Sequence, residues 1–119
     1  MNNFCVLIPS YNEAKTIGAI VKDVMSRGLS AYVIDDGSTD ETSENARKEG
    51  AVVIRLDINM GKGGALREGF RYIANKGFDG VIIIDGDGQH EVASIPDFIK
   101  KIPLTLRAGN LYILGQMGD

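Results

Sequence analysis

Two aspartates that lie two positions apart, Asp85 and Asp87, are the side chains of this sequence best suited to chemistry. They follow the apolar run 81–84, and side chains two apart on an extended segment point the same way. Gln89 continues the same alternation. A hard cation such as Mg²⁺ or Mn²⁺ takes oxygen ligands, commonly one or two carboxylates together with substrate phosphates. Asp85 and Asp87 therefore predict a divalent-cation site that also holds a diphosphate.

An ordinary turn is the alternative interpretation of this acidic stretch, because Asp and Gly are favoured in turns for backbone reasons. A calcium-binding EF-hand loop is excluded, since a loop starting at Asp85 would need Gly and Glu where His90 and Pro96 stand. Two phosphate-binding motifs fail as well. Leu56 occupies the first glycine position of a P-loop, and Leu66 occupies the last glycine position of a dinucleotide-binding fingerprint.

The elements that must position these residues are predicted from an alternation of short apolar runs and amphipathic stretches, which is typical of an α/β fold with a parallel sheet. Strands are predicted over 4–8, 31–34, 51–56, 81–84 and 111–114. The first helix has an apolar stripe at Ile17, Ile20, Val21, Val24 and Met25. The third has its stripe at Leu66, Gly69, Phe70 and Ile73. The sequence thus predicts helices packed on a central sheet.

The remaining helices are predicted from their first residues. Ser38 and Glu41 match a capping box that would open the second helix, which ends near Gly50. Ser94 would cap a short helix before the last strand. Nothing in the chain indicates a domain boundary, so we expect one domain over 1–119, in which 103–119 are poorly assigned.

The segments that follow the first four strands are unusually polar. In an open parallel α/β sheet, the ligand crevice lies beyond the carboxyl ends of the strands. The segments that should meet there are 9–13, 35–38, 57–64 and 85–90. Their carboxylates, single lysine and glycines suit a ligand that combines phosphates, a divalent cation and a polar ring.

Bulk composition excludes several classes of function. The formal net charge of −3 offers no basic surface of the kind that nucleic-acid binding requires. No apolar run approaches the roughly 18 residues that a membrane span needs. No basic segment precedes the first strand, so we expect no secretion signal. Cys5 is the single cysteine and cannot form an internal disulfide, which fits a cytoplasmic location, and a core position is its simplest role.

Four blocks of the sequence resemble family 2 of the inverting glycosyltransferases, which have the GT-A fold, and especially the polyprenyl-phosphate sugar transferases that are similar to dolichyl-phosphate mannose synthase. The blocks are IPSYNE at 8–13, IDDGSTD at 34–40, NMGKGGA at 59–65 and DGDGQH at 85–90. They occur in the family's order and rough spacing. The resemblance covers roughly residues 4–100, and it implies a three-layer α/β sandwich with a mainly parallel sheet.

The resemblance also implies roles for individual residues. It places Pro9, Tyr11 and Glu13 beside the base and ribose of a GDP- or UDP-linked sugar. One or both of Asp35 and Asp36 would hydrogen-bond the base, and Lys62 would help to hold the donor. The metal and, through it, the diphosphate would be bound by Asp85, Asp87 and Gln89. The acceptor would be a polyprenyl phosphate or a saccharide, and no side chain stands out as a catalytic base.

The C-terminal part departs from the family, whose members continue into a segment that builds the acceptor site. The polyprenyl-phosphate enzymes typically show Gly-Ser-Arg near the fifth strand, whereas this chain reads LGQMGD at 114–119. We therefore expect a fold that is incomplete at the C-terminus and exposes apolar sheet surface, which favours a homo-oligomer. A non-catalytic nucleotide-sugar-binding module is an alternative interpretation to the transferase. The location could be cytoplasmic or, within the cytoplasm, peripheral to the membrane. A sugar nucleotidyltransferase is a weaker alternative, because it would need a Gly-rich, Arg-containing loop after the first strand, where this chain has Tyr-Asn-Glu at 11–13.

Overall fold

The structure is a computed structural model that describes residues 3–84 and 86, together with the backbone of 107–108 and 111–117. The strands are β1 (Phe4–Ser10), β2 (Ser30–Asp35), β3 (Val52–Arg55), β4 (Gly80–Ile84), β5 (Arg107–Ala108) and β6 (Leu111–Met117). The helices are α1 (Ile17–Ser26), α2 (Thr42–Lys48) and α3 (Gly61–Ile73). The helix predicted after Ser94 lies outside the described residues.

The strands form one sheet in the order β3-β2-β1-β4-β6-β5. Neighbours are parallel from β3 across to β6, and β5 alone is antiparallel, to β6. The predicted mainly parallel α/β sheet is confirmed. The strand predicted over 111–114 is also confirmed and is longer than expected, whereas the antiparallel β5 was not predicted.

The sheet is covered on both faces, because successive side chains of a strand point to opposite sides. Val6 and Ile8 of β1 pack in one apolar cluster with buried residues of α1 and α2. Cys5 and Leu7 pack in a second cluster on the opposite face, with Ala65 and Ile73 of α3. The described elements therefore form three layers, and the core position expected for Cys5 is confirmed.

A close approach of α3 to the sheet depends on Gly69. A Cβ atom at this position would lie 2.8 Å from Cδ1 of Ile34 and 3.3 Å from Cδ1 of Leu7. Contacts this short force a neighbour to move. Gly69 therefore lets the second half of α3 lie close to β1 and β2.

The predicted capping box at Ser38 and Glu41 is wrong. Helix α2 begins at Thr42, and no side-chain hydrogen bond caps its N-terminus at Glu41. The hydroxyl of Ser38 instead accepts a hydrogen bond from the backbone N–H of Asn12 at 2.8 Å. The local motif failed because a contact from the segment after β1 engages the serine.

Candidate functional site

A cleft opens at the carboxyl ends of the central strands, next to the boundary between β1 and β4. The chain places β2 and β3 on one side of β1, and β4 and β6 on the other. Such a reversal of strand order separates the loops that follow the two central strands, which leaves a crevice for a ligand. The cleft has a volume of about 240 Å³.

The cleft is lined by residues from four elements or the segments that follow them: Pro9, Ser10, Tyr11, Glu13, Asp36, Lys62, Ala65 and Gly86. Five of the predicted donor-binding residues are among them. They lie as far apart as positions 9 and 62 in the chain, and the parallel sheet brings them to one edge.

The segments after β1 and β2 are joined by hydrogen bonds. The backbone N–H of Asp36 donates to the carbonyl of Ser10 at 2.8 Å. Asn12 adopts a left-handed conformation, with φ of 52°, and its side-chain oxygen accepts from the N–H of Thr39 at 2.9 Å. Asn tolerates this conformation better than most residues do. Neither Ser10 nor Asn12 caps α1, whose N-cap residue is Thr16.

The adjacent carboxylates Asp35 and Asp36 have different environments. Asp35 is fully buried and does not line the cleft. Its carboxylate accepts hydrogen bonds from the N–H of Ser38 at 2.8 Å, from Nη1 of Arg55 at 2.9 Å and from the hydroxyl of Ser43. A buried charge needs such partners. Asp35 therefore holds together β2, β3 and α2, while Asp36 forms part of the cleft wall.

The glycine-rich stretch of the block at 59–65 forms the first turn of α3. Helix α3 begins at Gly61, which has φ of +79°, a conformation that favours glycine. Lys62 therefore lies at the helix N-terminus and Ala65 one turn further along the helix, and both line the cleft. The N-terminus of a helix carries unsatisfied N–H groups and a partial positive charge. This wall of the cleft suits an anion.

The acidic turn is represented among the described residues by Gly86. The hydroxyl of Thr16 donates to the carbonyl of Gly86 at 2.7 Å. A Cβ at Gly86 would lie 2.2 Å from Oγ of Ser10, so Gly86 is in close contact with the end of β1. The predicted metal ligands Asp85, Asp87 and Gln89 lie outside the described residues. Within 3–84 and 86, the structure places no group of three His, Cys, Asp or Glu side chains that could hold a metal.

Three residues of the cleft were missed as site residues by sequence reasoning: Ser10, Ala65 and Gly86. Each lies inside one of the four blocks of resemblance. Their side chains are small, so their types carry no chemical signal. Only the spacing of Lys62 and Ala65, which is one helical turn, could have indicated that both face the same side.

The comparisons with known proteins agree with the fold and identify the family. Residues 5–108 match the family model "Glycosyl transferase family 2". Glycosyltransferase AglJ of Haloferax volcanii is 38% identical over 102 residues, which cover 85% of this chain and 32% of that protein. Dolichyl-phosphate beta-glucosyltransferase of Saccharomyces cerevisiae is 32% identical over 114 residues, covering 82% of this chain and 33% of the other. This chain thus spans about a third of the length of either relative.

Solved structures give the same result at the level of the fold. Glucosyl-3-phosphoglycerate synthase from Mycobacterium tuberculosis, in complex with Mn²⁺, UDP-glucose and phosphoglyceric acid, is 27% identical, with a TM-score of 0.63. The similarity covers 85% of this chain and 38% of that one. Mannosyl-3-phosphoglycerate synthase from Rubrobacter xylanophilus has a TM-score of 0.68 at 24% identity, over 84% of this chain and 35% of the other. The likeness to both enzymes confirms the predicted GT-A architecture.

No helix within the described part of the chain is long and apolar enough to cross a bilayer.

The family match covers most of the sequence, and the predicted resemblance is confirmed by relatives that carry glycosyltransferase names. This chain belongs to glycosyl transferase family 2.

Proposed function

We propose that this chain forms the donor-binding part of a metal-dependent glycosyltransferase that takes a sugar from a nucleoside diphosphate. The observation that carries the proposal is the cleft, where Tyr11, Asp36 and Lys62 converge beside the boundary between β1 and β4. An aromatic ring, a carboxylate and a cation match the three parts of such a donor. The Mn²⁺ and UDP-glucose in the Mycobacterium tuberculosis enzyme support the same class of ligand.

The nucleoside would occupy the wall formed by the segments after β1 and β2. Tyr11 is 46% exposed, so its ring is available to stack on a base. Asp36 is 4% exposed and its carboxylate can accept hydrogen bonds from N–H groups of guanine or uracil. Pro9 and Glu13 complete this wall. Asp35 would act indirectly, by holding the turn that presents Asp36.

The diphosphate would occupy the opposite wall, where Lys62 and the first turn of α3 provide positive charge. We assign the divalent cation, Mg²⁺ or Mn²⁺, to Asp85, Asp87 and Gln89, because two carboxylates and an amide oxygen are the hard donors that such ions take. The position of Gly86 on the cleft wall supports this assignment. A bound ion would supply Lewis-acid stabilisation of the leaving diphosphate.

The proton balance of the reaction distinguishes two kinds of acceptor. The bond between the anomeric carbon and the diphosphate oxygen breaks, and the diphosphate keeps the electron pair while an acceptor oxygen bonds to that carbon. A phosphate acceptor is already ionised and needs no base, whereas a hydroxyl acceptor must lose a proton to one. We propose a polyprenyl phosphate, because a relative from Saccharomyces cerevisiae is named for dolichyl phosphate. A saccharide acceptor is the second candidate.

The donor site can be tested by a thermal-shift panel of UDP, GDP and their sugars, with Mn²⁺ or with a chelator. A ligand at a hundredfold excess over its Kd stabilises a protein by about 2.7 kcal/mol, a shift of several degrees for a domain this small. We expect one nucleotide to give this shift in the presence of Mn²⁺. Asp87→Asn should abolish the part of the shift that needs Mn²⁺.

The matched control for Asp87→Asn is Asp23→Asn, which also removes one carboxylate. Asp23 lies on α1 and forms an i,i+4 ion pair with Arg27, away from the cleft lining. This variant should keep the full nucleotide shift. Absence of a shift with every nucleotide in the presence of Mn²⁺ would contradict the donor site.

A non-catalytic nucleotide-sugar-binding module is the alternative, and turnover separates it from the enzyme. The assay follows release of the nucleoside diphosphate with a polyprenyl phosphate, with saccharides and with water as acceptors. If the donor binds but no nucleoside diphosphate is released with any of the three acceptors, the result favours the binding module. A cytoplasmic location, a position peripheral to the membrane and a homo-oligomer stay predictions.

A further inference from the structure

The segment between β3 and α3 crosses the turn after β2, and Asn59 makes hydrogen bonds in both directions at the crossing. Its side-chain N–H donates to the backbone carbonyl of Asp36 at 3.1 Å. Its side-chain oxygen accepts from the N–H of Gly61, the first residue of α3, at 3.2 Å. One amide side chain thus connects the turn that carries Asp36 with the helix that carries Lys62.

The backbone around Asn59 packs tightly against the same turn. The N–H of Met60 donates to the Asp36 carboxylate at 2.7 Å, which orients that side chain in the cleft wall. Gly37 has φ of +79°, and a Cβ there would lie 3.0 Å from the backbone nitrogen of Asn59. No larger residue fits at Gly37 without moving the crossing segment. The segment that leads into α3 is therefore in direct contact with the turn that carries Asp36.

We propose that Asn59 is a positioning residue that couples the nucleoside wall of the cleft to the diphosphate wall. Asn59 is not a lining residue of the cleft, so it acts through Asp36 and through the start of α3. Ordering of Asp36 by a nucleoside would fix the first turn of α3, and ordering of Lys62 by a diphosphate would fix the Asp36 turn. The inference rests on the proposed function, because it requires one ligand that occupies both walls.

The test is a double-mutant cycle on nucleotide affinity, measured by titration calorimetry with whichever of UDP and GDP stabilises the wild type. Asp36→Asn, Lys62→Gln and the double variant are each compared with the wild type. The same three changes are then made and compared in a chain that carries Asn59→Ala. In the wild-type background we expect their effects on Kd to deviate from additivity by about fivefold, within the range seen for coupled sites. In the Asn59→Ala background the effects should add to within about twofold.

Two further variants separate coupling from simple destabilisation. Asn59→Ser keeps an oxygen that can accept from the N–H of Gly61 in a local turn, but its side chain is too short for the Asp36 carbonyl. It should lose the coupling as Asn59→Ala does, and it carries the test where Asn59→Ala fails to fold. Asn45→Ala removes a comparable half-buried hydrogen bond, from Asn45 to the carbonyl of Ala14 at 2.9 Å. It should shift the urea midpoint similarly and keep the coupling.

The outcomes distinguish the two proposals. If neither UDP nor GDP binds the wild type, the proposed function is overturned, and the role of Asn59 with it. If a nucleotide binds but the coupling persists in both Asn59 variants, or is absent from the wild type, only the role of Asn59 is overturned. Loss of coupling in both Asn59 variants, with retention in Asn45→Ala, supports it.

Discussion

The hydroxyl of Thr16 donates a hydrogen bond to the carbonyl of Gly86 at 2.7 Å, across 70 positions of the chain. Thr16 is the N-cap residue of α1, and Gly86 follows β4 on the wall of the cleft. The bond therefore joins the first helix directly to the acidic turn. Gly86 belongs to the last block of resemblance, and Thr16 lies three positions beyond the first.

Replacing Thr16 by Val should weaken this connection with little change in side-chain shape. We expect a loss of about 1 kcal/mol in the free energy of unfolding, which is typical of one hydrogen bond. We also expect a smaller Mn²⁺-dependent shift with nucleotide, because the acidic turn would be held less firmly. Urea unfolding and thermal shift measure the two effects. Thr16→Ser retains the hydroxyl and should behave as wild type, and equal behaviour of the two variants would argue against a role for the bond.

Replacing Gly86 by Ala should disturb the cleft, because the new Cβ would lie 2.2 Å from Oγ and 3.0 Å from Cβ of Ser10. Such overpacking typically costs about 1–3 kcal/mol. The double variant with Ser10→Gly removes both contacting atoms and should recover part of the loss in urea unfolding. Gly63→Ala is the control, since a Cβ there meets no atom within 4 Å. Equal stability of Gly86→Ala and Gly63→Ala would contradict the close contact.

Arg55 should matter more for stability than other surface arginines. Replacement by Ala would remove one partner of the fully buried Asp35 carboxylate and a hydrogen bond of 2.7 Å to the carbonyl of Ser38. We expect a loss of about 1–3 kcal/mol, since an unsatisfied buried group costs this much. Arg71→Ala removes an exposed pair with Glu68 and should cost less than about 0.5 kcal/mol. Chemical denaturation of both variants measures the difference in their free energies of unfolding. Equal stability of the two variants would mean that water replaces the Arg55 guanidinium at no cost and would contradict the prediction.

The thiol of Cys5 should be unreactive in the folded protein. Desolvation by burial raises its pKa to about 12, so the nucleophilic thiolate is scarce at neutral pH. Because the folded pKa is raised above its ordinary value of 9.0, the contribution of the neutral thiol to the free energy of unfolding is complete below pH 9.0 and is lost as the pH rises towards 12. Iodoacetamide at pH 8 should label Cys5 only in urea. Rapid labelling of the native chain would contradict its burial.

Element types could be predicted from the sequence because burial imposes a period on each element. The stripe Ile17, Ile20, Val21 and Val24 is buried in α1, and the apolar run of β4 is buried throughout. Boundaries were predicted less well where distant residues decide them. Met25 was assigned to the stripe of α1 but is 39% exposed. Helix α2 begins at Thr42, whose N–H donates to the Asp40 carboxylate, while the hydroxyl of Ser38 is engaged by Asn12.

The sequence by itself determined the α/β alternation and the four polar segments after the strands, because apolar period and local composition are properties of neighbouring residues. Only the tertiary structure decided between Asp35 and Asp36, which are alike in type and adjacent. The register of β2 against β3 pairs Asp35 with Arg55 and turns it into a buried structural anion. Asp36 lines the cleft instead. Ser38 and Ser43 also contact Asp35, but Arg55, which pairs with Asp35, and Met60, which donates to Asp36, are 20 and 24 positions away along the chain, so local sequence could not distinguish the two carboxylates.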